Sequence, residues 1–112
     1  MNRLVDRETG ETLFNRLVIA DTFWRRALGL MGRKAFAADE AILIRPCNSV
    51  HTCMMRFEID VAFCDEDGKV LKVIESLRPW RFVIGPKGSR FVVEFASGAA
   101  MVIAGQQLKT ER

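Results

Sequence analysis

The stretch IDVAFCDEDGKVLKVI, residues 59–74, decides how the rest of the chain is read. Ile59, Val61 and Phe63 alternate with Asp60, Ala62 and Cys64, the period of two that a half-buried strand requires. Asp65-Glu66-Asp67-Gly68 follows, and such a run turns the chain because short carboxylates bond back to the backbone and glycine tolerates positive φ. Lys69 to Ile74 is then the returning strand. This hairpin is the clearest local signal in the chain.

Working outward, the same pattern recurs. Leu4-Val5-Asp6 and Thr12-Leu13-Phe14 flank a Gly10-bearing turn, a second hairpin whose return strand extends through Leu17-Val18-Ile19. Ala41-Ile42-Leu43-Ile44 reads as a buried strand stopped at Pro46, and Phe91, Val93 and Phe95 alternate with Val92, Glu94 and Ala96. Pro79-Trp80 and Gly85-Pro86-Lys87-Gly88 mark irregular stretches. The form of the run between Gly98 and Gly105 is open, and Leu108 begins a short last strand. One segment departs from this pattern. Asp21 or Thr22 can cap a helix, Trp24, Ala27, Leu28 and Met31 follow at helical spacing, and Gly32 can end it. We therefore expect a mostly β (α+β) protein, a small barrel-like domain of about six or seven short strands with one short helix near residues 22–32. It would occupy residues 1–112 as a single domain.

The 112 residues are 49% hydrophobic and 28% charged, the balance of a globular chain and not of a disordered one. The formal net charge is +3, too small for the concentrated basic stripe of a nucleic-acid binder. The start MNRLVDRETG has no apolar stretch behind a basic end, and Ala99–Ala104 is too short to cross a bilayer. These features predict a cytoplasmic protein with no membrane and no nucleic-acid partner. Cys47, Cys53 and Cys64 are then expected as three thiols.

Candidate site residues concentrate in residues 51–63, HTCMMRFEIDVAF, which hold the only histidine. Taken as a strand, this run places His51, Cys53 and Met55 on one face, with His51 and Cys53 about 7 Å apart along it. A Cys53 nucleophile with His51 as base is the sharp chemical reading, and a small buried apolar cysteine is the plain one, which we favour. Cys47, His51 and Cys53, with Met31, Met54 or Met55, offer soft ligands, but no paired C-x-x-C spacing supports a metal, and no cofactor is expected. Asp60 and Glu94 lie in apolar strands, where a lone carboxylate is costly and needs a partner such as Arg26, Arg33 or Arg56. Arg56, Arg78, Arg81, Lys87 and Arg90 gather in sequence around Trp80, a set suited to an anion, although the Gly85–Ser89 piece lacks the P-loop pattern.

Two motifs carry a family resemblance. Arg26-Ala27-Leu28-Gly29-Leu30-Met31-Gly32-Arg33 resembles the R-x-x-G-L-M-x-R segment of the DUF192 (UPF0127) family, and His51 to Val61 resembles its H-T-x-x-M-R-F-P-I-D-V stretch. A weaker match joins Val93-Glu94, Gly98 and Gly105-Gln106 to an E…G…G-D pattern. The resemblance spans roughly residues 12–108 and implies a compact, barrel-like β fold with a short helix, but no activity. Glu58 stands where proline is common in the family, and Gln106 where aspartate is common.

No complete catalytic constellation appears. We therefore expect a non-catalytic small-ligand-binding or accessory domain, with a polar pocket formed by His51, Arg56 and Asp60 and supported by Arg26 and Glu94. The ligand would be small and polar or anionic, or a segment of a protein partner. The competing readings are a hydrolase- or lyase-type enzyme using His51 with Asp60 or Glu94, and a protein–protein interaction module.

Overall fold

The computed structural model describes residues 2–20, 36–53 and 55–112. Within them the chain forms β1 (Asn2–Asp6), β2 (Thr12–Ala20), β3 (Glu40–Ile44), β4 (Ser49–His51), β5 (Ile59–Cys64), β6 (Val70–Leu77), β7 (Phe82–Ile84), β8 (Phe91–Ala96) and β9 (Leu108–Glu111). Seven of these make one sheet in the order β6-β5-β8-β3-β2-β1-β9, and β4 pairs with β7 in a separate two-stranded sheet. All neighbours in the large sheet are antiparallel except β2 and β3. Parallel neighbours need a crossover of a dozen or more residues, and residues 21–39 supply that length. The expected helix near 22–32 falls on residues 21–35, outside those described.

The sequence pattern of residues 59–74 accounts for the centre of the sheet. Asp65 accepts the backbone N–H groups of Asp67 and Lys69 at 2.9 and 3.0 Å, which closes the turn between β5 and β6. Gly68 at its apex has φ +90°, and the Leu108 carbonyl packs where a Cβ would stand, so glycine is required there twice over. All six residues of β5 are buried. Ile59, Val61 and Phe63 enter one apolar cluster with Ile42, Val50 and Val92, while Ala62 and Cys64 enter another with Leu4, Phe14 and Phe95. The strand is therefore covered on both faces, and Asp60 is its one polar side chain.

The expected barrel is not closed. The outer strands β6 and β9 meet only at one corner, through the isolated Lys69–Gln107 bridge and the bonds Val70 N–H to Gln106 O and Leu108 N–H to Gly68 O. The rest of β6 is a sheet edge. It is bent by a bulge, because three steps on β6 (Ile74 to Leu77) oppose two on β5 (Ile59 to Val61). The bulged Ser76 has φ +52°. Such a kink blunts an edge that would otherwise template further strands.

Candidate functional site

The run that begins at His51 is not one strand: β4 ends at His51, and the next strand, β5, begins at Ile59. After β4 the chain turns, so His51 and Cys53 do not share a strand face. The reason lies in Thr52, which is fully buried. Its hydroxyl donates to the Arg78 carbonyl at 2.6 Å and accepts the Arg81 N–H at 2.8 Å. Its own N–H donates to Arg81 O, and its carbonyl accepts the N–H groups of Met55 and Trp80. One small side chain thus ties the chain just after β4 to the 78–81 loop.

This tie sets the two-stranded sheet. His51 pairs with Phe82, Val50 with Val83 and Ser49 with Ile84. Paired residues share a face. Val50 and Val83 pack inward with Ile59, Val61 and Leu77. His51, Phe82, Ser49 and Ile84 consequently lie on the outer face. Phe82 and Ile84 are 66% and 69% exposed, and Trp80 beside them is 64% exposed. Trp80 adopts φ +62°, a conformation bulky residues rarely take, and its N–H is held by Thr52 O at 3.0 Å. His51 is half-buried, with Nδ1 shielded from solvent.

Arg56, Arg78, Arg81, Lys87 and Arg90 are all exposed. Residues 78–90 carry four cations and no carboxylate, so this one segment has a formal charge of +4 against +3 for the whole chain. Those four side chains enter no hydrogen bond or ion pair with the described residues. Their charge is available to something else.

Asp60 sits elsewhere. Its neighbours Ile59 and Val61 point to the β4 side, so its own carboxylate turns to the opposite face of the sheet. There Oδ1 accepts the Ser76 N–H at 2.8 Å and Oδ2 the Gly98 N–H at 3.0 Å. Asp60 clamps the β6 bulge to the turn after β8, beside an open cleft of about 280 Å³ that Glu75, Ser97 and Met101 also line. Glu94 is fully buried in β8 opposite Val61 and Ile42, on the face that Val50 covers. The two carboxylates are therefore on opposite faces of one sheet. Of the five expected site residues, His51 and Arg56 flank Thr52 in the chain, Asp60 and Glu94 are separated by the sheet, and Arg26 falls outside the described residues.

The thiols differ sharply. Cys64 is buried, and burial, helped by the nearby Asp65 charge, pushes its pKa up to about 12. Cys47 is half-buried and donates to Ser49 O at 2.8 Å, while Cys53, expected as a small buried residue, is exposed because the chain turns there instead of continuing as a strand. Among the described residues no group of three His, Cys, Asp or Glu side chains is arranged to hold a metal ion. At the sheet corner, Gln106 Nε2 donates to Asp6 Oδ2 at 2.7 Å, and Asp6 also accepts the Glu8 and Thr9 N–H groups. The Gln106 amide, and then the Thr9 N–H, hold the Asp6 carboxyl below the usual carboxylate range.

Sequence reading missed Thr52, Phe82 and Ile84. The alternation Phe82-Val83-Ile84 was present, but only three residues long and enclosed by Pro79 and Gly85-Pro86.

Comparison with known proteins agrees with this picture of the fold. The profile of the family described as "DUF192: Uncharacterized ACR, COG1430" matches residues 5–110. A UPF0127 protein of Pyrococcus horikoshii is 40% identical over 83 residues, covering 71% of this chain and 71% of its own. One from Pyrococcus furiosus is 35% identical over 101 residues, covering 83% and 84%. One from Thermococcus sibiricus is 31% identical over 100 residues, and the match spans 85% of this chain but 64% of that protein. Among solved structures, a protein described as a proposed transcription regulator from Sinorhizobium meliloti 1021 superposes with TM-score 0.79 at 21% identity, over 97% of this chain and 91% of its own. A protein of unknown function from Novosphingobium aromaticivorans superposes with TM-score 0.78 at 18% identity, over 96% and 82%.

Proposed function

The chain belongs to the DUF192 family, and from that premise, which carries no activity, we propose that it is a non-catalytic binding or accessory domain. Its recognition surface is the outer face of β4–β7 with the turns that follow His51 and precede Phe82. One observation carries this reading. Three large apolar side chains, Trp80, Phe82 and Ile84, stand in solvent beside His51 in a segment of formal charge +4. Keeping such groups out of the core forgoes burial worth roughly 1.5–3 kcal/mol per side chain. Contiguous exposed apolar surface of this kind marks interaction sites. The bonds around Thr52 hold the face in place before anything binds, which lowers the ordering cost of association.

The enzyme reading needs an available carboxylate near His51. Asp60 gives both oxygens to backbone N–H groups on the other face of the sheet, which favours a structural role. The test is a thermal-shift panel of phosphates, carboxylates, nucleotides, sugars and divalent metals, run on wild type and on Phe82→Ser with Arg81→Glu. A ligand at about 100 times its Kd adds roughly 2.7 kcal/mol, several degrees for a chain this size. A shift in wild type that disappears in the variant supports the reading. Chemical conversion of any panel compound would replace it with the enzyme reading.

A further inference from the structure

We infer that β7 is a docking edge for an extended acidic, apolar segment of another protein, which adds to the β4–β7 sheet as a third strand. The inference rests on the proposed binding role of this face and names its occupant.

The backbone sets the argument. Arg81 O accepts the Thr52 N–H, and the Gly85 N–H donates to Asn48 O. Along an antiparallel pair, alternate residues bond to the partner strand. Arg81, Val83 and Gly85 are thus spent on the β4 side. Phe82 and Ile84 point their N–H and C=O groups the other way, and among the described residues no strand pairs with them there. An incoming strand meets two donors and two acceptors at alternate residues, which is the geometry of strand addition.

The side chains set its composition. A strand laid along β7 places every second residue on the outer face, next to Phe82 and Ile84, and those residues must be apolar to cover them. Arg78 and Arg81 precede β7 in the chain, and Lys87 and Arg90 follow it, so the strand is bracketed in sequence by exposed cations. They have no carboxylate in the same segment, and arginine forks onto carboxylates readily. The complementary chain alternates apolar residues with Asp or Glu. A second exposed pair, Met101 and Ile103, borders a cleft of about 370 Å³ but brings no cations with it. Between these two exposed patches of the described residues, the β7 edge is the one that combines unpaired backbone, apolar surface and charge.

The experiment uses the full chain and an array of synthetic decapeptides. Every second position is Val or Ile, and the others grade from Glu through Ser to Lys. A further set carries proline at alternate positions, which removes pairing N–H groups. Binding is expected to rise with Glu content, to weaken with salt and to be lost in the proline set. Ile84→Pro removes an outward N–H without touching a bond to β4, and should weaken binding at least tenfold. Arg78→Glu with Arg81→Glu should do the same while leaving the backbone edge unaltered, and Lys72→Glu on β6 should change nothing. An array response independent of Glu content overturns the inference, as does proline-set binding equal to the rest. Co-sedimentation with phosphatidylserine vesicles and no peptide response overturns it in favour of a membrane surface. If the small-molecule panel gives a ligand while the array fails, the binding-domain reading stands and the strand-docking inference falls.

Discussion

Replacing Thr52 by valine should cost far more than its single-atom change in shape suggests. Thr52 has no exposed surface, and its hydroxyl serves the Arg78 carbonyl at 2.6 Å and the Arg81 N–H at 2.8 Å. Valine fills the same space and answers neither group. A buried polar group stripped of its partner costs about 1–3 kcal/mol. Two such groups would give at most about 6 kcal/mol, but Arg78 and Arg81 are exposed residues whose loop can turn a carbonyl towards water. We therefore expect a loss of about 2–3 kcal/mol. At roughly 4–6 °C per kcal/mol this lowers Tm by about 8–18 °C. Urea unfolding with linear extrapolation reads the change directly, with the m-value unaltered because the buried area is the same. Thr52→Ser keeps the hydroxyl and should lose about 1 kcal/mol or less, the worth of one methyl group. The reasoning is refuted if valine lies within about 0.5 kcal/mol of wild type, or if serine is as damaging as valine.

Three further outcomes follow from the geometry. Asp60→Asn keeps one acceptor but turns an amide N–H₂ towards a backbone donor, so it should destabilise by about 1–2 kcal/mol and loosen the β6 bulge, read as faster amide exchange at Ser76 and Gly98; unchanged exchange there would count against the clamp. Asp6 has a lowered pKa in the folded chain, so its contribution is fully present above the unfolded carboxylate pKa of about 3.9 and fades as pH falls through the lower folded value. The stability gap between wild type and Gln106→Ala should therefore narrow in acid, and a gap that is the same at pH 7 and pH 2 would show that Gln106 does not act through the Asp6 charge. A thiol reagent applied to the native protein at pH 8 should modify Cys53 first and leave Cys64 untouched until urea unfolds the chain, because Cys64 is both buried and held at a pKa of about 12. Mass mapping of the labelled peptides decides it.

The central hairpin was legible because two local signals coincided there. The alternation over residues 59–64 announced a strand, although the half-buried one it implied is covered on both faces, because Ala62 and Cys64 on the second face are apolar too. Asp65 and Gly68 needed only their own neighbours to turn the chain. The β8 alternation and the last strand at Leu108 were readable in the same way. What lay between β4 and β7 was not, since it depends on a contact between Thr52 and residues 26 and 29 positions away in sequence. Alternation extended the strand past His51 because nothing local said that the Thr52 hydroxyl would be consumed by another loop. The open sheet was equally hidden. Closure depends on how far β6 and β9 run together, and they touch only near Lys69 and Gln107. Asp60 and Glu94 had matching signals, each a carboxylate in an apolar strand, but pairing Asp60 with Phe95 and Val61 with Glu94 puts them on opposite faces, a register no single strand reveals.

The pairing of β1 with β9 has a consequence for the order in which the chain can be completed. Arg3 sits opposite Glu111 and Asp6 opposite Leu108, so the second edge of β1 is filled by residues about a hundred positions further along the chain. On a ribosome, β1 and β2 can close their hairpin early, yet β1 must wait with an open edge while about a hundred residues are added. The strand carries Leu4 and Val5, both buried in the finished protein. Its exposure during that wait makes the nascent chain most prone to wrong pairing before residues 108–111 emerge, and the corner at Gly68 cannot lock until then.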